Sequence, residues 1–246
     1  MTDDQRQATG RLALAVIEDG MVAYASHPVA RAVITVIPFG SFFDALVGTA
    51  GSNLALERLQ VLVDELRQAI DRVPAEKQDL GVTEEQLLAA ALRAVRAATE
   101  TANREKVQTI AAALVGATSA DRPLDLDIET VIASLAGLTA ADLGAARRLA
   151  ESLGINGGVS PSVLGPDGEF FSGRLAAAGL LESVVIPGNS TLRNRGMRNT
   201  DPSIEFRLSP TFARILDLLR AGGITTFVPT GSTGSYAEGT PGESTL

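Results

Sequence analysis

The chain has 246 residues, enough for one large or two small domains, and its 45% hydrophobic content can fill a core. Only 4% of the residues are aromatic, so the core has to be built from Leu, Val, Ile and Ala, which favours closely packed helices. Cysteine is missing, which excludes disulfides and thiolate metal sites. The net charge of −8 disfavours nucleic-acid binding unless basic residues are segregated, and residues 139–221 carry nine Arg against eight Asp and Glu.

The N-terminal segment lacks the features of a secretory signal. It begins MTDDQRQATG, which is acidic and has no basic region followed by an apolar run. We therefore expect an uncleaved, cytoplasmic protein. A short helix over residues 12–17 and a second helix from about 21 to 36 are predicted next.

Residues 32–43, AVITVIPFGSFF, form an uncharged apolar stretch. Arg31 and Asp44 limit it to twelve residues, well below the roughly 20 that span a bilayer. The break at residues 38–41 divides it into two short helices, which is typical of a buried helical hairpin. A membrane-inserting hairpin is the alternative interpretation, although short apolar runs are usually core.

An amphipathic helix is predicted from Asn53, its N-cap, to the residue before Pro74. Apolar side chains recur there at spacings of three and four and form one stripe. The stripe is shorter than a long coiled coil requires, so packing within the chain is favoured and a homodimer seam remains an alternative. The stripe consists of Leu56, Leu59, Val63, Leu66, Ile70 and Val73.

Three further helical segments are predicted before residue 139. Thr83 and Gln86 form a capping box that starts the first. The next stripe, over residues 107–114, either continues that helix or begins a new one near Asn103. A loop over 116–123 then leads to a helix from Asp127 to Leu138.

The segment after Thr139 has the pattern of a winged helix with an added closing helix. Its third helix should place Phe171 and Leu175 inward, with Ser172 and Arg174 outside. The predicted order is a helix over 139–154, a helical turn near 162–164, a helix over 169–178, strands over 180–186 and 203–208 joined by the polar loop 187–202, and a helix from 209 to 222.

The sequence thus predicts a mainly α protein in three parts. Residues 1–124 form an N-terminal helical bundle, and residues 125–221 form a winged-helix-like domain with a small β-hairpin. Residues 222–246, rich in Gly, Ser, Thr and Pro, form a disordered tail.

Several strings resemble the abortive-infection alpha family of bacterial proteins. They are SLAGLTAADLGAARRLAE, SGRLAAAGLLES and EFRLSPTFARILDLL in the C-terminal part. PFGS, ERLQVLVDELRQAI and REKVQTIAAALV are similar to the N-terminal helical part of the family. The resemblance implies a role in phage resistance and transfers no catalytic motif.

No residue pattern indicates catalysis. His27 is the only histidine, which excludes multi-histidine metal sites, and its pattern favours a capping or surface role. The glycine clusters at 154–158 and 231–235 lack the spacing and lysine of a phosphate-binding loop. We therefore expect no catalytic, cofactor-binding or metal site and no enzyme activity.

The winged-helix pattern raises the possibility of nucleic-acid contacts. On the third helix only Arg174 can make a bidentate base contact. In the loop, Arg193, Arg195 and Arg198 can follow phosphates, although a basic loop is often only solvated. Binding is expected to be at most weak, salt-sensitive and largely independent of DNA sequence.

Three functions remain open. The favoured one is a non-enzymatic interaction or regulatory protein, linked by the resemblance to phage defence, with a protein partner or a second copy bound by the helical part. The second is a DNA-binding regulator acting through Arg174 and the loop. The third is a membrane-active effector using residues 32–43, which their length and charge disfavour.

Overall fold

A computed structural model describes residue 15 and residues 19–36, 52–73, 82–119, 127–152, 158–159, 164–186 and 203–224. Within these residues the chain is mainly helical and has one small antiparallel sheet. A 3-10 helix at Val22–Tyr24 precedes helices α1 (Pro28–Val36), α2 (Ser52–Arg72), α3 (Glu84–Glu100), α4 (Arg104–Thr118), α5 (Ile128–Gly137) and α6 (Ala140–Ser152). Strand β1 (Gly158–Val159), helix α7 (Gly168–Ala177), strands β2 (Leu181–Ile186) and β3 (Ser203–Leu208) and helix α8 (Pro210–Ala221) follow.

Most of the predicted helix starts carry the expected caps. Thr83 Oγ1 accepts a hydrogen bond from the Gln86 amide at 3.3 Å, and Gln86 Oε1 accepts one from the Thr83 amide at 3.1 Å. The Asp127 side chain accepts from the Glu129 amide, and Ser209 caps α8 with proline next to it. These short side chains satisfy amide groups that the first turn of a helix leaves unpaired.

The predicted boundaries differ at three helices. Residues 21–36 do not form one helix, because Pro28 opens α1 and a 3-10 helix with a turn precedes it. Helix α2 begins at Ser52, so Asn53 lies inside it and is not its cap. Of the two alternatives near residue 103 the new helix is confirmed, since Asn103 caps α4, but α4 runs to Thr118 and so includes the first three residues of the predicted loop 116–123.

Helix α4 lies at the centre of the fold and packs against α2, α3, α5, α6 and α8. From Thr109 to Thr118 every side chain is buried. The closest approach is to α8, where a Cβ built on Gly116 would overlap the carbonyl oxygen of Leu218, and one on Gly222 would overlap that of Ala112. Small residues thus allow the two backbones to pack closely, as the aromatic-poor composition predicts.

The predicted stripe of α2 faces the interior of the single chain. Five of its six side chains are buried, and the sixth, Leu56, is half-buried against the same core. Glu65, on the same helix, is also buried and accepts a hydrogen bond from Arg104 of α4 at 2.7 Å. The apolar surface of the stripe is therefore already covered without a second copy.

The sheet has the order β1-β3-β2, with antiparallel pairing throughout. Val159 lies opposite Phe206, and Leu181 lies opposite Leu208. Helix α7 packs on β2 and α8 on β3. The two predicted strands of the hairpin are present, and β1 is an additional edge strand that the sequence did not indicate.

The buried core is continuous between the two predicted domains. One cluster of apolar side chains includes members on both sides of residue 124, which itself lies outside the described residues. Residues 222–224, assigned by sequence to the tail, belong to the fold, because Gly222 lies against α4 and Ile224 is buried. The remainder of the tail lies outside the described residues.

In the described part of the chain, no single helix is long and apolar enough to cross a membrane. One pair of helices, α5 and α6, passes the same test by combined length and composition, and it is bent by 113° between the two. Of the apolar stretch 32–43, only residues 32–36 are described, and Val33 and Val36 are buried in α1. The predicted break at 38–41 lies outside the described residues.

Candidate functional site

Arg174, the predicted base-contacting residue of α7, forms a bidentate ion pair with Asp142 of α6. Its Nε donates to Asp142 Oδ1 at 2.8 Å and its Nη2 donates to Asp142 Oδ2 at 2.7 Å. The arginine side chain is 42% exposed, whereas the carboxylate is 1% exposed. Such a fork-to-fork arrangement fixes the guanidinium in position and orientation.

Asp142 is held from its own helix as well. Thr139 donates to Asp142 Oδ2 from its backbone amide at 2.8 Å and from its hydroxyl at 2.7 Å, while the Asp142 amide donates to Thr139 Oγ1. Burial alone would raise the pKa of Asp142, but the hydrogen bonds from Arg174 and Thr139 outweigh it and hold the pKa below its ordinary value. The pair of residues that caps the start of α6 is thus also the anchor of Arg174.

The outer face of α7 differs from the predicted one. Ser172 is buried with Leu175, contrary to its expected outward position, and Phe171 is half-buried. Phe170 is instead 63% exposed, and the guanidinium carbon of Arg174 lies 5.7 Å from its ring centre. An aromatic ring and a fixed arginine therefore stand together on the surface. The sequence pattern missed this because two adjacent phenylalanines allow either phase of the helix.

An open groove of about 710 Å³ lies beside this pair, between α5 and α7. Its floor is formed by small residues, and the Arg93–Glu129 ion pair joins α3 to α5 at its wall. The small residues at spacings of three and four on α5 were the sequence signal for this surface. The groove is lined by Arg93, Asp127, Glu129, Thr130, Ala133, Ser134, Gly137, Leu138, Asp142, Arg174, Ala177 and Ala178.

The other predicted nucleic-acid contacts, Arg193, Arg195 and Arg198, lie outside the described residues. Their role as phosphate contacts therefore stays a prediction, as does the polar loop 187–202. The α2 stripe, which the sequence offered as a possible dimer seam, is covered by the core: five of its side chains are buried and Leu56 is half-buried.

His27 caps α1 from a buried position, so of the two expected roles the capping one is observed and the surface one is wrong. Its Nδ1 accepts a hydrogen bond from the Val29 amide at 3.3 Å, and the residue is 3% exposed. Burial lowers the pKa of His27 below its ordinary value. Among the described residues no group of three or more His, Asp or Glu side chains is placed to hold a metal ion.

Lys106, one of two lysines, has a structural position that the sequence did not reveal. Its Nζ donates to the carbonyl oxygen of Ala136 at the end of α5. A cation at a helix C-terminus compensates the unpaired carbonyls of the last turn. Burial lowers the pKa of Lys106, against the opposing effect of nearby carboxylates. The contact fixes the end of α5 that borders the groove.

Comparisons with known proteins gave no match to this chain. No protein-family model matches the chain, and neither curated proteins nor solved structures show a significant similarity to it.

Proposed function

We propose that this chain is a non-enzymatic interaction protein that binds a protein partner through the Phe170–Arg174 surface of α7. The observation that carries the proposal is the exposed ring of Phe170 beside a guanidinium held by a buried carboxylate. Aromatic and arginine side chains dominate the binding energy of protein interfaces. Because Asp142 already orders Arg174, little side-chain entropy remains to be lost on binding.

The same ion pair restricts base reading by Arg174. A bidentate contact to guanine uses two N–H donors of the guanidinium, and because Asp142 occupies the Nε–Nη2 edge, such a contact would have to use the opposite Nη1–Nη2 edge. Freeing the occupied edge would leave a carboxylate that is 1% exposed without its cation, which is unfavourable. Glu169, exposed on the same helix, adds a negative charge to its first turn.

A DNA-binding regulator is the second candidate, and the topology favours it. The succession α6, β1, α7, β2 and β3 with the sheet order β1-β3-β2 is consistent with a winged helix. A winged helix also serves as a protein-interaction module, so this topology supports both candidates. A role in phage defence rests on the resemblance of the quoted strings to the abortive-infection alpha family.

Site-specific photocrosslinking tests the proposal. p-Benzoylphenylalanine replaces Phe170 in the full-length protein, expressed in the cells that naturally produce it, and the control places it at Val22, which is 62% exposed on the 3-10 helix. We expect a discrete protein adduct from position 170 that position 22 does not give. A nucleic-acid adduct from position 170, or no adduct specific to it, would contradict the proposal.

A further inference from the structure

The groove beside α7 has a floor on which another backbone can approach closely. Residues 130, 133, 134 and 137 of α5 and residues 177 and 178 at the end of α7 contribute only Thr, Ala, Ser and Gly to it. A Cβ built on Gly137 would meet nothing within 4 Å, so the space above it is open. The volume of about 710 Å³ falls within the range of ligand pockets and admits a short peptide.

The two guanidinium groups at the groove have hydrogen-bond donors to spare. Toward the described residues, Arg93 donates from Nε to Glu129, and Arg174 donates from Nε and Nη2 to Asp142. A guanidinium has N–H groups beyond these. Within the described part of the chain the remaining ones have no acceptor. A ligand that fills the groove should therefore present oxygen acceptors.

The charge of the groove selects among ligands with oxygen acceptors. The lining contains two arginines and the three carboxylates of Asp127, Glu129 and Asp142, so its formal net charge is −1. Each arginine is also already paired, so a phosphate or carboxylate would meet a partly neutralised cation and nearby anions. Uncharged carbonyl oxygens can accept from the guanidinium groups without that repulsion. Main-chain carbonyls of a helix are largely committed, whereas those of an extended segment are free.

We propose that the groove between α5 and α7 binds an extended, uncharged or basic peptide segment whose main-chain carbonyls accept hydrogen bonds from Arg93 and Arg174. This inference rests on the proposed function, because it assigns a chemical class of partner to a groove that shares Arg174 with the Phe170–Arg174 surface. The small floor provides close contact with the peptide backbone, and the net negative charge excludes acidic sequences.

Selection from a phage-displayed library of random short peptides tests this directly, with the full-length protein as bait. The variant Gly137→Leu fills the groove, since its new side chain enters the open space. Gly144→Leu on α6 is the matched control, because Gly144 does not line the groove and its Cβ would meet only Arg148 Nη1 at 4.0 Å. We expect enriched peptides of zero or positive net charge that bind wild type and Gly144→Leu equally, and Gly137→Leu at least roughly tenfold more weakly.

A second variant removes donors without blocking the groove. Arg93→Ala breaks only a half-exposed ion pair, so the protein should stay folded, as circular dichroism will show. We expect several-fold weaker binding of the enriched peptides. Enrichment of acidic peptides, equal binding by Gly137→Leu, or no enrichment at all would overturn the inference.

The outcomes separate this inference from the proposed function. A partner crosslinked at position 170 that binds Gly137→Leu as tightly as wild type refutes the groove and leaves the function in place. Groove-specific peptides without any protein adduct at position 170 refute the Phe170 surface and leave the groove.

Discussion

The carboxylate of Asp142 connects local capping to the surface of α7. It receives hydrogen bonds from Thr139 on one side and Arg174 on the other, and all of these favour its charged form. Removing Arg174 would leave this buried charge unpaired, so an Arg174→Ala variant is expected to lose stability as well as any binding. Phe170, whose ring is exposed, is the better position for a functional test because its removal leaves the ion pair intact.

His27 gives a prediction for pH dependence. Its folded pKa is lowered by burial, so the unfolded chain binds a proton more readily than the folded one. Its contribution to stability is therefore complete above the unfolded pKa of 6.5 and is lost as the pH falls toward the lower folded pKa. The slope is at most about 1.4 kcal/mol per pH unit.

Urea unfolding from about pH 7.5 to about pH 5.5 measures this dependence. The variant His27→Asn keeps an N-cap acceptor and does not titrate, so we expect its unfolding free energy to change less over the range. His27 is the only histidine in the sequence. An equal pH dependence of the unfolding free energy in wild type and His27→Asn would therefore show that His27 does not cause it.

At the scale of elements, the crossing of α4 and α8 depends on glycine. Gly116→Ala should destabilise the protein by about 1–3 kcal/mol, since the new methyl group would overlap the backbone of Leu218. Gly173→Ala in α7 is the control, because a Cβ there meets nothing within 4 Å. We expect the control to gain about 0.5–1 kcal/mol from higher helix propensity. Thermal unfolding of both variants measures the two effects. Equal shifts in Tm for Gly116→Ala and Gly173→Ala would contradict the close approach of α4 and α8 at Gly116.

Helix α2 gives a second test, which separates core packing from dimerisation. Leu66→Asp places a charge at a position with 0% exposure and should cost more than about 4 kcal/mol, enough to unfold the protein. Leu54→Asp on the same helix, 41% exposed, should change stability by less than about 0.5 kcal/mol. Circular dichroism with light scattering distinguishes the outcomes, and a folded Leu66→Asp monomer would indicate a dimer seam instead.

Sequence reasoning succeeded where the signal is local and failed where it depends on distant contacts. The capping residue Thr83 and the alternating strand around Phe206 specify their elements within a few residues. The Arg174–Asp142 pair joins residues that are 32 positions apart in the sequence. The helical pattern of α7 alone does not reveal this partner, so the sequence predicted an unpaired Arg174. Glu65 is a second example. As a charged residue it would be expected on the surface, but its side chain is buried, because Arg104 of another helix pairs with it.

At the scale of the whole molecule, net charge governs any encounter with DNA. A charge of −8 repels phosphates, so binding has to concentrate in Arg193, Arg195 and Arg198 if it occurs. Replacing all three with Ala should flatten the dependence of log affinity on log salt by roughly three units. The measurement is fluorescence anisotropy with a labelled duplex between about 50 mM and 200 mM salt.

A matched control separates contact from total charge. Arg31, Arg72 and Arg96 are exposed on the N-terminal helices, and their triple Ala variant changes the net charge equally. We expect this control to keep the salt dependence of wild type. Tight, sequence-specific binding that survives loss of the three loop arginines would mean that the recognition surface lies elsewhere.

The most direct test of the account is the affinity of the partner identified by crosslinking for variants of the Phe170 surface. Isothermal titration of the purified partner compares wild type with Phe170→Ala and with Val22→Ala, whose side chains are similarly exposed at 63% and 62%. The account predicts at least roughly tenfold weaker binding for Phe170→Ala and no change for Val22→Ala. Equal affinity of Phe170→Ala and wild type would contradict it.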